Sequence, residues 1–275
     1  MIASLKSVLD HAKAEGHAVA GLVCLGWEDM RAYVTAAEHV GVPVILQAGP
    51  SCRRHTPLPV LGSMMRHLAE SVSVPVVVHL DHGNSIDECR EAIDSGFSSV
   101  MYDGSRLSLE ENIANTAEVV VLAKQHGVSV EGEIGFVGYA AGESSAGTDA
   151  VEAGQFARES GVDAMAISVG NVHLQLDTKT PLNEQLIADI QAQTDVALVI
   201  HGGSGVPAEQ RAALAKATHI CKFNIGTELR AGFGQSLRHV LAQDGDIYDR
   251  VQILTQVEAD LVRDTQVLLN GLRGQ

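Results

Sequence analysis

Hydrophobic positions along this chain fall into short continuous runs, not into the alternating pattern of a half-exposed sheet. Eight runs end in glycine or a polar cluster: 18–25, 43–49, 75–83, 99–104, 128–135, 163–170, 196–203 and 220–227. Their composition predicts strands buried on both faces of a parallel sheet. Between them, apolar residues recur at helical spacing over 27–40, 86–95, 109–125, 151–160, 183–193 and 207–217. Strand–helix alternation repeated eight times predicts an α/β fold, a (β/α)8 TIM barrel that takes the whole of 1–275 as one domain. Gly41, Gly96, Gly127 and Gly161 each stand past a helix and before a strand, where glycine adopts the left-handed conformation that ends a helix. A helix over 4–15 precedes the first strand and is expected to close the barrel bottom. The tail, 246–273, carries a helical stripe of Val251, Ile253, Leu254, Val257, Leu261, Val262, Val267 and Leu268. It fits either an eighth barrel helix with an extension or a contact between copies, in a homodimer or homotetramer.

Aromatic residues are only 4 % of the 275, so aliphatic side chains must fill the core. The formal net charge of −15 repels phosphodiester backbones and anionic lipid, so neither nucleic acid nor membrane is an expected partner. Any anionic small molecule must then be drawn by local donors. Cys24, Cys52, Cys89 and Cys221 form no C-x-x-C pair and read as reduced thiols in a reducing compartment. No apolar run reaches membrane-spanning length, and the N-terminus lacks a signal-peptide core. The expected location is cytoplasmic.

Chemistry in such barrels gathers where the strands' C-terminal ends meet. The third strand delivers His79, Asp81 and His82, the fifth Glu131 and Glu133, and the sixth run Asn171 and His173. The seventh delivers His201 and the eighth Lys222 and Asn224. Three imidazoles from separate strands, His82, His173 and His201, can converge on one ion with an open position, which suits catalytic zinc. The competing reading of each is a hydrogen-bonded mouth residue. After the seventh strand comes Gly202-Gly203-Ser204-Gly205; the eighth ends Asn224-Ile225-Gly226-Thr227 and enters a helix. Backbone N–H groups exposed in two such loops favour a phosphate over two tight turns. Ser51, Arg53, Arg54 and His55 follow the second strand and are expected in a loop, either solvated or holding a second phosphate. Glu133 reads equally as a group near the metal or as a salt-bridged barrel residue.

With PVVVHLDHG, GFSSVMYDGS, VSVEGEIG, VGNVH, LVIHGGSGVP and KFNIGTEL in hand, the chain resembles the class II, zinc-dependent fructose-/tagatose-bisphosphate aldolases. It looks closest to the tagatose-bisphosphate and ketose-phosphate branch. The resemblance runs from Leu5 to about Arg230 and implies zinc on His82, His173 and His201, with Asp81 as general acid/base. It also implies that Gly202, Gly203, Ser204, Asn224, Ile225, Gly226 and Thr227 hold the dihydroxyacetone-phosphate end, with a monovalent cation (Na+ or K+) near the phosphate. The implied reaction cleaves a phosphorylated ketose, a 1-phosphate or 1,6-bisphosphate, to dihydroxyacetone phosphate and an aldehyde. Zinc would act as a Lewis acid on the C2 oxygen, Asp81 would take the C4 hydroxyl proton, and Asn224 could donate to the developing oxyanion.

Three positions depart from the family pattern. Leu22 and Val23 stand where an aromatic–Asn pair is usual. Leu174 replaces a glycine after His173, so the glycine conformation is expected to be lost. The acid of the loop after the fifth strand falls on Ala140 or Ala141, with Glu143 the nearest carboxylate and Tyr139 a second candidate proton donor. Two other functions fit parts of the pattern. A metal-dependent sugar-phosphate epimerase would need two opposed carboxylates, of which only Asp81 is well placed. A phosphosugar-binding paralogue would explain the missing loop acid.

Overall fold

The computed structural model describes residues 1–273 apart from Ala141, Glu143 and 176–180. The chain opens with α1 (Leu5–Glu15) and β1 (Val19–Val23), then α2 (Trp27–Val40) and β2 (Val44–Ala48). Two helices follow, α3 (Pro50–His55) and α4 (Leu58–Glu70), before β3 (Val76–Gly83), α5 (Ile86–Asp94), β4 (Ser99–Tyr102) and α6 (Leu109–Lys124). Next come β5 (Ser129–Ile134), α7 (Ala150–Ser160), β6 (Ala164–Ile167), α8 (Glu184–Gln191) and β7 (Ala197–Ile200). The last elements are α9 (Ala208–Ala217), β8 (Ile220–Ile225), α10 (Thr227–Gln243) and α11 (Arg250–Leu272).

Each apolar run pairs with the next in parallel, and β8 returns to β1, so the sheet closes as β1-β2-β3-β4-β5-β6-β7-β8. This is the barrel the alternation predicts. Gly41, Gly96, Gly127 and Gly161 all have positive φ, 74°, 84°, 67° and 71°. The opening helix plugs the bottom: Leu5, Val8, Leu9 and Ala12 share one buried cluster with Val19, Ile45, Val77, Ala164 and Val199 of the strands. All four cysteines are buried and unpaired. No helix among the described residues is long and apolar enough to cross a membrane.

Two stretches differ from the expected pattern. Ser51, Arg53, Arg54 and His55, expected in a loop, lie in α3, and α4 follows over 58–70. Pro50 and the Pro57–Pro59 pair break the apolar periodicity there, yet proline in a first turn costs no hydrogen bond. The tail read over 246–273 is one helix, α11, as expected, but a separate helix, α10, precedes it and follows β8 directly. Val257, Leu261 and Leu268 turn inward against the core, while Val251 and Val267 stay exposed.

Gly21 of β1 sets the space above the plugged bottom. A Cβ there would lie 2.1 Å from Gln47 Oε1 and 2.9 Å from Asn224 Oδ1, so only glycine lets these two amides share the barrel interior. Gly21→Ala is expected to lower unfolding free energy by about 1–3 kcal/mol, the usual range for an overpacked core, measured by urea denaturation.

Candidate active site

The mouth of the barrel is built where β3 breaks register. Pairing between β3 and β4 shifts between Leu80 and Gly83, and His82 takes a left-handed φ of 54°. Such irregularities re-aim side chains beside functional sites. Arg53 of α3 holds this strand end. Its guanidinium donates to Ala48 O (2.7 Å), Asp81 O (2.6 Å) and His82 O (2.8 Å), and to Glu88 Oε1 (2.8 Å). The expected solvated loop is thus a helix whose Arg53 side chain is only 6 % exposed and carries structure, not a phosphate.

His82, His173 and His201 converge. One nitrogen from each lies within 4.8 Å of the others, and ring centroids are 4.7 Å (His82–His201), 5.4 Å (His82–His173) and 5.8 Å (His173–His201) apart. Each ring is held from behind. His82 Nδ1 is 2.7 Å from Asp103 Oδ2, and His201 Nε2 is 3.1 Å from Glu131 Oε1. His173 stacks on Tyr139, and its backbone is sewn to the loop after β5 through His173 N to Gly138 O (2.8 Å) and Ala140 N to His173 O (3.0 Å). Glu133 Oε2 lies 3.4 Å from His201 Nδ1 and 3.6 Å from His82 Nδ1.

Burial depresses the His173 imidazole, and the neighbouring His201 and His82 push it further, to about 3. It is therefore neutral and keeps a lone pair. His201 goes the other way: the carboxylates of Glu133 and Glu131 overcome burial and raise it to about 10 among protein groups alone. Burial pushes the Asp81 carboxyl up, but His82, His201 and Lys222 outweigh it and leave the group below its ordinary value. Asp81 Oδ1 also accepts from Gln47 Nε2 (2.9 Å) and Asn224 Nδ2 (3.2 Å).

The donor set fits a divalent cation. Beyond their 3.4 Å approach to each other, the buried His201 Nδ1 and Glu133 Oε2 have no hydrogen-bond partner among the described residues, an arrangement that native cores avoid unless another group satisfies it. Three imidazoles, two of them braced by carboxylates, are also the donor set and outer support that a catalytic metal uses.

A cavity of about 420 Å³ opens over these residues, lined among others by Asp81, His82, His173, Gly202, Ser204, Asn224, Gly226 and Thr227. The predicted phosphate-loop residues thus meet in one place. Ile225 and Gly203 lie buried behind them. Gly202 cannot be another residue without displacement: its φ is 64°, and a Cβ would lie 2.3 Å from Val172 O. Ser204 Oγ accepts from Gly226 N and Glu228 N (3.3 Å each), tying the β7 loop to the start of α10. A larger, mostly apolar cavity of about 560 Å³ beside α10 and α11 shares only Arg230 with this mouth among the described residues, and His55 is the one imidazole among them that lines it.

Leu174 keeps the left-handed backbone, with φ 59°, so the glycine conformation is retained at a cost in strain, contrary to expectation. Its side chain forms part of the cavity wall. An L-residue pays about 1–2 kcal/mol in this region, while glycine gives back about 0.5–1 kcal/mol in chain entropy. Leu174→Gly should therefore raise stability by about 0.5–1 kcal/mol, read from the denaturation midpoint. Glu143, the expected proton donor, lies outside the described residues, as does Ala141. Sequence reasoning missed Gln47, Asp103 and Arg53 as supports of the site. Asp103 was detectable as the first ionisable residue after β4, whereas Gln47 and Arg53 gave no local signal.

A closed parallel barrel with ionisable groups gathered at the strands' C-terminal ends is the architecture of a barrel enzyme. The description "Fructose-bisphosphate aldolase class-II" matches residues 3–272, and the chain belongs to that family. It is 37 % identical over 254 residues to the 6-phospho-5-dehydro-2-deoxy-D-gluconate aldolase of Bacillus velezensis, covering 90 % of this chain and 87 % of that one. It is 35 % identical over 261 residues to the fructose-bisphosphate aldolase of Geobacillus stearothermophilus, covering 92 % and 90 %. Among solved structures it superposes on the YdjI aldolase of Escherichia coli K12 with a TM-score of 0.87 and 26 % identity, over 99 % of this chain and 97 % of that one. The protein is thus a class II aldolase, an aldehyde-lyase that performs retro-aldol cleavage of a phosphosugar, and the family implies a divalent metal.

Proposed function

We propose that the chain cleaves a ketose 1-phosphate whose other end carries a second anion, with zinc held by His82, His173 and His201. The convergence of these three imidazoles beside an ionised, doubly hydrogen-bonded Asp81 carries the reading. When bound, the metal supplies Lewis-acid polarisation of the substrate's carbonyl oxygen. Asp81 takes the C4 hydroxyl proton as the C3–C4 bond breaks. Asn224 holds Asp81 and offers its amide to the developing oxyanion. The loops at Gly202, Gly203, Ser204 and Asn224 to Thr227 receive the phosphate through backbone N–H groups, and a monovalent cation offsets its charge. Glu143 returns the proton to the carbon, with Tyr139 the alternative donor; comparing Glu143→Gln with Tyr139→Phe decides between them.

The second anion rests on Arg54, Arg106 and Arg230, which line the same cavity in a chain of net charge −15. Arg106 is set over the Phe136 ring at 4.2 Å. The names of the relatives fit: one acts on a phosphorylated gluconate, the other on a bisphosphate. Tagatose 1,6-bisphosphate belongs to the same chemical class. A panel of ketose phosphates with zinc present, coupled to triose-phosphate detection, tests this. Cleavage of substrates with two anionic ends is expected. Preference for a mono-anionic ketose, or full activity after chelation, would defeat the reading.

A further inference from the structure

We propose that Lys222 is a positioning residue that fixes which nitrogen of His201 faces the metal; the inference rests on the metal site proposed above. Lys222 stands among Ile220, Cys221 and Phe223 in β8 and is fully buried, as are His79, Glu131 and His201. Its Nζ donates to Glu131 Oε2 at 2.6 Å and lies 3.5 Å from His79 Nε2. The row continues at both ends, with His79 Nδ1 2.9 Å from Ser99 Oγ and His201 Nε2 3.1 Å from Glu131 Oε1.

An ammonium has three donors and no acceptor, and an ionised carboxylate only accepts. The His79 nitrogen facing Lys222 must therefore carry a lone pair, and its proton sits on Nδ1, toward Ser99. Glu131, held ionised by Lys222, must receive an N–H from His201, so His201 keeps its proton on Nε2. Nδ1 is then the nitrogen turned to the site, the one whose proton an incoming cation displaces and a buried atom that makes no hydrogen bond among the described residues. One cation sets the direction of every proton in the row. Stability alone does not account for it, because a buried ion pair contributes little net stability and apolar replacements of similar volume are often no worse. Without Lys222, Glu131 would be an uncompensated buried charge. With nothing to hold Oε2, its grip on His201 Nε2 through Oε1 would loosen, and the ring would be free to offer its other nitrogen to the metal.

The test uses the full chain loaded with cobalt(II), read by its visible absorption and by competition with a chelator. Lys222→Met is expected to weaken cobalt binding by about 10–100-fold, the usual effect of losing outer support. Adding Glu131→Gln should recover most of that loss, because the neutral amide oxygen still accepts from His201 Nε2. A folded Lys222→Met with wild-type affinity and spectrum overturns the proposal, as does a double variant no better than the single one. Should Lys222→Met fail to fold, the wild type decides: in zinc-loaded, histidine-labelled protein, nitrogen NMR must find the His79 proton on Nδ1 and the His201 proton on Nε2. A His79 proton on Nε2 overturns the inference. Wild-type protein that binds no cobalt removes the metal site, and this inference with it, an outcome distinct from failure of the variants alone.

Discussion

Asp81→Asn lowers kcat by about 10²–10⁴-fold, the contribution of a positioned general base, and leaves bound metal unchanged. Asparagine preserves the volume and can still accept from Gln47 and Asn224 through its amide oxygen, so the fold around it should survive. What it loses is the basic oxygen: Oδ1 is occupied by two amides, while Oδ2 has no hydrogen-bond partner among the described residues. Asp81 is 5 % exposed, which alone would raise its carboxyl; the neighbouring His82, His201 and Lys222 reverse that. A base with a lowered pKa stays ionised at neutral pH and is lost only as pH falls through the lowered value. The acid limb of kcat/KM contributed by Asp81 should therefore lie below about 3.9, the ordinary aspartate value. A variant that keeps wild-type turnover would remove Asp81 from the chemistry and leave only its role beside His82.

The barrel was legible because parallel strands covered on both faces must be apolar without interruption. Interruptions therefore stood out: His79, Asp81, Glu131 and Lys222 each break a run and each points to the interior or the mouth. The site was legible in its proposed ligands but not in most of the residues that hold them. His82 and His201 announce themselves against Val, Leu and Ile neighbours. Gln47 is a neutral amide within an apolar run, and its meaning depends on Gly21 one strand away, a relation between strands that no local pattern carries. Arg53 reads as a solvated cation until the α3 turn brings it over the end of β3. Leu174 shows the opposite limit. A left-handed backbone imposed by its surroundings can hold a residue whose own preference argues against it.

His173→Ala is expected to weaken cobalt or zinc binding by more than about 100-fold, beyond the effect of losing an outer support, and to bring cleavage down in step. Of the three proposed ligands His173 is the informative one to remove, because its backbone carries its own bonds to Gly138 and Ala140, so truncation should spare the loop. Metal content by mass spectrometry and turnover under the same conditions check this. Activity lost with metal retained would make His173 a substrate contact. The pH dependence of loading in the wild type separates the ligands further. His173 is already neutral at physiological pH, since burial and its imidazole neighbours hold it near 3. His201 is raised to about 10 by Glu133 and Glu131 against burial, so an incoming cation must displace its proton. Below that value apparent affinity should rise by at least roughly tenfold per pH unit, His201 releasing one proton per ion bound and His82, raised by Asp81 and Asp103 against burial, a second at lower pH. Glu133→Gln removes one of the two negative fields acting on His201, so the same curve should level off at lower pH. A wild-type affinity flat between pH 6 and 8 would mean that His201 carries no proton for the metal to displace.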